Sequence, residues 1–284
     1  MVDIDVSHLQ AQLADGLKMQ AASMREDQEL LRVYQEINKL SHYTILLTLA
    51  LELFSLPSAL KLVKGNPSLY ASAVFKNFFN HYLIAPAMFS VYVRYYVLPG
   101  HTCDVTKFPF DPLSPPDYSW CEYDRWTTFL QMLGVLLIQS IGYYLAHVLM
   151  HTRRFYWMHR FHHKFNNTVT PMVANAVSWA EYAVAYMLPI FVATVLLKPN
   201  VPALFRAGFI ISFFNLLIHT PFLHDLSERL PGFWVSTAGH MEHHRVLSRH
   251  FAAPTLNVDW VVGLFVGSMS EEKRQKLFKQ AKEE

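Results

Sequence analysis

The chain is short of charge and short of cysteine, and each shortage removes a class of function. Asp, Glu, Lys and Arg together make up 16% of 284 residues, against about a quarter in soluble domains. A well-solvated globular surface is hard to build from so little. The formal net charge of +2 is too small for the basic footprint that nucleic acid requires, so no nucleic-acid partner is expected. The two cysteines, Cys103 and Cys121, cannot make a disulfide framework or a thiolate zinc site. The opening MVDIDVSHLQAQLADGL begins acidic and lacks an apolar core, so a cleavable signal peptide is not expected. What the chain has instead is 52% hydrophobic and 14% aromatic residues, gathered into apolar runs long enough to span a bilayer. The expected fold is all-α, a polytopic integral membrane helical bundle of about four to five spans.

Residues 1–42 are polar. Leu30, Val33, Tyr34, Ile37 and Leu40 recur at helical spacing, with Arg32, Glu36 and Lys39 on the other side, which predicts an amphipathic surface helix. Apolar segments follow at 43–63, 69–98, 127–150, 178–197 and 201–221. The second is interrupted by Ala85-Pro86-Ala87, which predicts a kink or a re-entry. The last two flank Lys198-Pro199-Asn200, so they must be antiparallel neighbours. The chain divides into a polar N-terminal segment (1–42), N-terminal spans with a loop (43–126), a catalytic-type domain (127–265) and a charged tail (266–284).

Ten of the fifteen histidines lie between positions 147 and 244. They form four clusters at the ends of apolar segments: His147/His151, His159/His162/His163, His219/His224 and His240/His243/His244. Imidazole is the commonest ligand for first-row transition metals. Residues three and four apart share a helix face, so three of the clusters can each aim their rings at one point. His219 and His224 are five apart with Pro221 between them, so they converge only if the helix ends there. Ten ligands exceed what one tetrahedral zinc uses; two metals with about five imidazoles each are expected. Asp225, Glu242, Glu181 and Asp259 are candidates to hold the rings from behind, and His250 is near enough to join them. His8, His42, His81 and His101 lack the spacing.

The hairpin returns the chain to the face it left, so all ten histidines share one face. Loops on that face carry 14 Lys and Arg against 7 on the other, which assigns it to the cytosol. Cys103 and Cys121 then lie on the lumenal side, where they either pair or remain two thiols. Asn166-Asn167-Thr168, a glycosylation acceptor by sequence, is expected to stay unmodified.

These residues resemble the fatty acid hydroxylase superfamily of membrane oxygenases, which includes sterol desaturases, sterol methyl oxidases and sphingolipid hydroxylases. The resemblance covers about 127–265 and rests on HRFHH and HMEHH, with HVLMH upstream and HTPFLH between them. It implies a di-iron centre on His147, His151, His159, His162, His163, His219, His224, His240, His243 and His244. It further implies O2 as co-substrate, a membrane lipid substrate, and an endoplasmic-reticulum location. Electrons would come from NAD(P)H through cytochrome b5 and its reductase, a separate donor since no haem domain is fused. The order Asp259-Trp260, and a glutamate at Glu181 without a preceding His-Pro pair, depart from common patterns of the family and leave the subfamily open. Sterol hydroxylation or desaturation is the leading reading, with a fatty acyl or sphingoid-base hydroxylase second. A histidine-rich metal transporter or a structural zinc protein are the readings of another class. Phe129, Leu133, Met187, Phe191, Phe213 and Phe214 are candidates to line a lipid pocket.

Overall fold

The apolar segments become helices that run between two ends of the molecule. The computed structural model describes residues 6–104, 111, 114–166, 168–252 and 254–266, and every regular element among them is helical. Helix α1 (Val6–Phe54) bends by 89° into α2 (Leu56–Gly65). Next, α3 (Pro67–Phe79) continues through a π-helical turn, Asn80–Ile84, into α4 (Ala85–Tyr92), and ends through Val93–Val97 and Leu98–Gly100. Helix α5 (Arg125–Met150) precedes the short α6 (Tyr156–His159). Then α7 (Trp179–Glu181) runs through a π-helical stretch, Tyr182–Met187, into α8 (Leu188–Leu197), and α9 (Val201–Ile218) returns beside it. Three short helices follow, α10 (His224–Ser227), α11 (Thr237–Val246) and α12 (Val258–Val266). The expected charged tail lies, apart from Val266, outside the described residues.

Arg125–Met150, Trp179–Leu197 and Val201–Ile218 are each long and apolar enough to cross a membrane, and Lys18–Phe54 with Leu56–Gly65 passes the same test only as a bent pair, a broken span or a re-entrant loop. The surface of α5 suits lipid rather than water. Leu133, Leu137, Ile141, Leu145 and Leu149, four residues apart, are all exposed, while Gln139, Tyr143 and His147 face inward and are buried. That inverts the pattern of a water-soluble amphipathic helix.

Hydrogen bonds identify the two ends. At one, Lys198 adopts a left-handed φ of 44° to turn the hairpin. Asn200 caps α9 by accepting from the Ala203 N–H at 2.9 Å, and its side-chain amide donates to Thr128 Oγ1 at 2.8 Å. Here too Arg25 donates to the Cys103 carbonyl at 3.2 Å. Cys103 and Cys121 are joined by a disulfide, which decides between the two states the sequence left open. At the other end Glu52 accepts from the Met172 N–H at 2.9 Å, and Asn77 donates to the Met172 carbonyl at 3.0 Å. The stretch from Pro67 to Gly100 connects the ends, so of the kink or re-entry expected at Ala85-Pro86-Ala87 the re-entry does not occur. Pro86 falls in the first turn of α4, just after the π-helical turn, where its missing N–H is tolerated.

The polar face assigned to residues 30–40 is corrected. Arg32, Glu36 and Lys39 are buried, whereas Leu31 and Tyr34 are exposed. Glu36 pairs with Arg32 at 3.3 Å and Lys39 at 3.4 Å and accepts from the Asp117 N–H at 3.2 Å. The loop beside the disulfide closes over this face, so the charges pair with one another inside, alongside the buried Val33 and Ile37, while Leu31 and Tyr34 take the outside. Helix α1 passes through position 42 without a break.

Small residues let the spans approach closely. A Cβ on Gly142 would lie 2.7 Å from Pro189 Cβ, while one on Gly65 would meet nothing within 4 Å. Gly142→Ala is therefore expected to destabilise the protein by about 1–3 kcal/mol. Gly65→Ala should stay within about 0.5 kcal/mol. Thermal unfolding of the two variants in detergent checks the contrast.

Candidate metal centre

The histidines arrive at one end of the bundle on five different elements. His147 closes the last turn of α5 and His151 caps it; His159 ends α6; His162 and His163 open the following turn, His162–Phe165; His219 caps α9. Helix α11 is started by Ser236, whose hydroxyl accepts from the Gly239 N–H at 3.0 Å, and carries His240, His243 and His244 inward.

Nine of the ten predicted histidines come together, in two groups. One holds His147, His151, His159, His163 and His243; the other holds His162, His219, His240 and His244. Within each group the candidate ligand nitrogens lie within 4.8 Å of one another, and all nine residues are buried. The expectation that each triplet aims at a single point is corrected. In both triplets the i, i+4 pair, His159/His163 or His240/His244, serves one group, while the intervening His162 or His243 crosses to the other. Crossing ties the groups together: His159 and His162 rings are centred 5.3 Å apart, and His163 and His244 rings 5.1 Å apart.

His224 is the exception. Its side chain is 47% exposed and pairs with Asp225 at 3.2 Å. Helix α9 ends at Ile218, and a 3-10 turn at Pro221–Leu223 carries His224 outward. Spacing five with a proline inside it does not return a ring to the same side. The expected division of five and five therefore becomes five and four.

Backbone carbonyls and one carboxylate fix the rings from behind. Nδ1 donates to the Phe251 carbonyl from His147 at 3.0 Å, to the Asn215 carbonyl from His219 at 2.7 Å, and to the Arg249 carbonyl from His243 at 2.7 Å. His159 Nδ1 lies 2.5 Å from Glu181 Oε1. Glu181 is set by Ser178, which caps α7, accepts from the Glu181 N–H at 3.0 Å and donates to the Met158 carbonyl at 2.7 Å. Of the four carboxylates singled out in the sequence, Glu181 touches the clustered His159. Asp259 acts one step further out, accepting from the Ala252 N–H at 2.7 Å and so holding the segment that presents the Phe251 carbonyl. Glu242 pairs with Arg249 and lies 3.3 Å from His250 Nε2. The carbonyl partners leave no trace in side-chain identity, so sequence reasoning had no signal for them.

The donor set fits a cation. With Nδ1–H committed to Phe251 and to the Glu181 carboxylate, His147 and His159 each present a bare Nε2, and these face one another at 2.9 Å. Two lone pairs at that distance repel unless a positive charge lies beside them. Other Nε2 pairs, His163–His159 at 2.9 Å, His240–His219 at 2.9 Å and His219–His162 at 3.4 Å, match the edges of a coordination shell, which for bonds of about 2.1 Å run from about 3.0 to 3.4 Å. His243 Nε2 is buried in the five-histidine group without a hydrogen-bond partner. Burial and neighbouring imidazoles hold His159, His162, His163, His240 and His244 far below the ordinary imidazole range, and burial brings His219 to about 4. Neutral imidazole is the form that binds metal.

A family model described as fatty acid hydroxylase matches residues 132–264, the stretch that contains all nine clustered histidines. Comparison with curated proteins and with solved structures yields no match.

Purified protein is expected to hold two first-row metal ions per chain. His162→Ala should lose about one of them, and His224→Ala should keep both. Glu181→Gln should weaken the five-histidine site by roughly 10–100-fold. Metal analysis by inductively coupled plasma mass spectrometry, with a chelator titration, checks all three.

Proposed function

Because residues 132–264 belong to the fatty acid hydroxylase family, we propose that this protein is a membrane-bound di-iron oxygenase that hydroxylates or desaturates a lipid C–H bond with O2. The observation that carries this reading is the pair of all-imidazole groups, with five and four histidines, at the end of apolar spans. Nitrogen-only ligation favours redox-active iron over a thiolate-held structural zinc. Iron bound there would supply the activation of O2.

The chain's own residues supply the rest. His147, His151, His159, His163 and His243 would hold one ion; His162, His219, His240 and His244 the other. The second group, one ligand poorer, has more room for a reactant. Glu181 orients His159, and the carbonyls of Phe251, Asn215 and Arg249 orient His147, His219 and His243. Fixing the rings in this way keeps the ligand nitrogens in place when charge changes at the centre. Burial of all nine histidines excludes bulk water, which protects a strong oxidant from side reactions.

In this reading the histidine end faces the cytosol at the endoplasmic reticulum, and cytochrome b5 with its reductase delivers electrons from NAD(P)H. A sterol is the leading substrate and a fatty acyl or sphingoid lipid the alternative. The position of the groups at the span ends disfavours a transport path, since transporters place their sites near the bilayer midplane.

The iron-loaded protein in lipid nanodiscs, given NADH, cytochrome b5 and its reductase, is expected to consume O2 in proportion to oxidised lipid. Mass spectrometry should find a lipid that has gained one oxygen or lost two hydrogens. His162→Ala and His243→Ala should each cut turnover by more than roughly a hundredfold. A zinc-only protein with no reductant-dependent O2 uptake would overturn the reading.

A further inference from the structure

The outer surface of the histidine end is apolar and cationic in an order that neither the spans nor the metal ligands explain. Helix α1 packs beside α9 and both end there, so the 89° bend after Phe54 lays α2 across that end, close to parallel with the membrane plane. Side chains of α2 fall into three sectors at about 100° per residue. Ala59 and Leu62 are buried, Leu62 in a cluster with Ala73 and Phe165. Leu56, Leu60 and Val63 form an exposed apolar stripe next to them. Lys61 and Lys64 are exposed beyond that stripe, on the side away from the protein. Protein, then apolar, then cationic is the order that suits a helix lying in a membrane–water interface.

The stripe continues beyond α2. Upstream it joins Leu49, Leu53 and Phe54, exposed on α1. Phe54 stacks on Phe222 at 5.9 Å, and Phe222, Leu226 and Leu230, four residues apart, are all exposed. The exposed Phe233 then shares a groove with Leu133 and Leu137 of α5. An apolar collar thus runs part of the way round the histidine end and merges with the lipid-suited surface of α5. Phe129 and Leu133, candidates from sequence to line a lipid pocket, are exposed on α5 and belong to this outer surface. Exposed tryptophans mark both ends of the bundle, Trp157 and Trp179 at the histidine end and Trp126 at the other, as interfacial belts do.

Beside the collar the charge is of one sign. No Asp or Glu occurs in residues 53–103 or 125–180. Those stretches expose Lys61, Lys64, Arg153, Arg154, Arg160 and Lys164 at the histidine end. Among the described residues, no carboxylate lies within ion-pair distance of any of the six. A surface notch of about 480 Å³ opens among them, lined by Asn66, Ser68, Ser72, Phe161, Lys164 and Asn166 and bordered by His163. The Lys76 and Lys164 ammonium groups stand 4.7 and 5.4 Å from the centre of the Phe161 ring, so two cations and several hydrogen-bonding side chains meet there. The notch has room for a phosphate group.

We propose that α2 and residues 222–233 lie in the plane of the leaflet on the histidine side, and that the cations beside them bind anionic phospholipid headgroups, one at the notch by Asn66 and Lys164. The headgroup phosphate and carboxylate supply the negative charge that these stretches lack. Anionic lipid fits better than an acidic protein because Lys61 and Lys64 share a helix with the apolar stripe. Their stems follow the stripe while the ammonium groups stay at headgroup depth. The bent pair of α1 and α2 is then one span followed by an in-plane helix. Collar and headgroup sites stand whether or not the histidine centre consumes O2.

The test uses the full-length, metal-loaded protein in nanodiscs of equal phosphatidylcholine and phosphatidylserine. Cys103 and Cys121 are paired, so a nitrobenzoxadiazole probe reacts only with the thiol introduced by Leu60→Cys, Leu226→Cys or Lys61→Cys. Probes at 60 and 226 should be quenched by doxyl-labelled lipid and shielded from aqueous iodide, and the probe at 61 should be open to iodide. Native mass spectrometry of the released protein should find phosphatidylserine retained over phosphatidylcholine by roughly fivefold. Lys61→Gln with Lys164→Gln should bring that ratio toward one, and Lys61→Arg with Lys164→Arg should keep it, with metal content unchanged in both. Iodide reaching 60 and 226 as freely as 61, equal retention of the two lipids, or a preference that survives the glutamine pair overturns the proposal. Equal lipid retention, with cytochrome b5 binding that falls in the glutamine pair, assigns the cations to an acidic protein and overturns it too.

Discussion

Nine imidazoles are packed at one end of a membrane bundle with their nitrogens turned toward each other, and this arrangement makes sense only around positive charge. His147 and His159 carry the argument most sharply. Each has its Nδ1–H engaged by an acceptor, so the facing Nε2 atoms at 2.9 Å are both lone pairs. A hydrogen bond between the rings that keeps both interactions would need the proton of His159 Nδ1 moved onto Glu181. A bound cation relieves it and converts repulsion into ligation.

The bundle exists to hold this end rigid. Close contacts such as Gly142 on Pro189 lock α5 against α8, and α5 delivers His147 and His151. The hairpin returns α9 beside them, so His219 arrives at the same end. The crossing of His162 and His243 between groups makes the two sites one mechanical unit. Displacing either triplet would disturb both centres.

Much of this was legible in the sequence, for stated physical reasons. Apolar runs and the Lys198-Pro199-Asn200 turn gave the hairpin, and i, i+4 spacing gave pairs that share a site. Three things were not legible. Spacing alone could not say that the middle histidine of each triplet crosses over, because that depends on how α11 and the His162–Phe165 turn dock. His224 looked like a ligand by composition, yet the 3-10 turn after Pro221 rotates it out. Arg32, Glu36 and Lys39 read as a solvated face, since nothing local reveals that a distant loop will cover them.

The central claim is that the imidazole groups hold iron by nitrogen alone. Iron K-edge X-ray absorption on the purified protein addresses it directly. The account predicts about two irons per chain, each with a nitrogen-dominated shell and no sulfur scatterer. An iron-free sample whose only metal is zinc, or a shell containing sulfur, would contradict it.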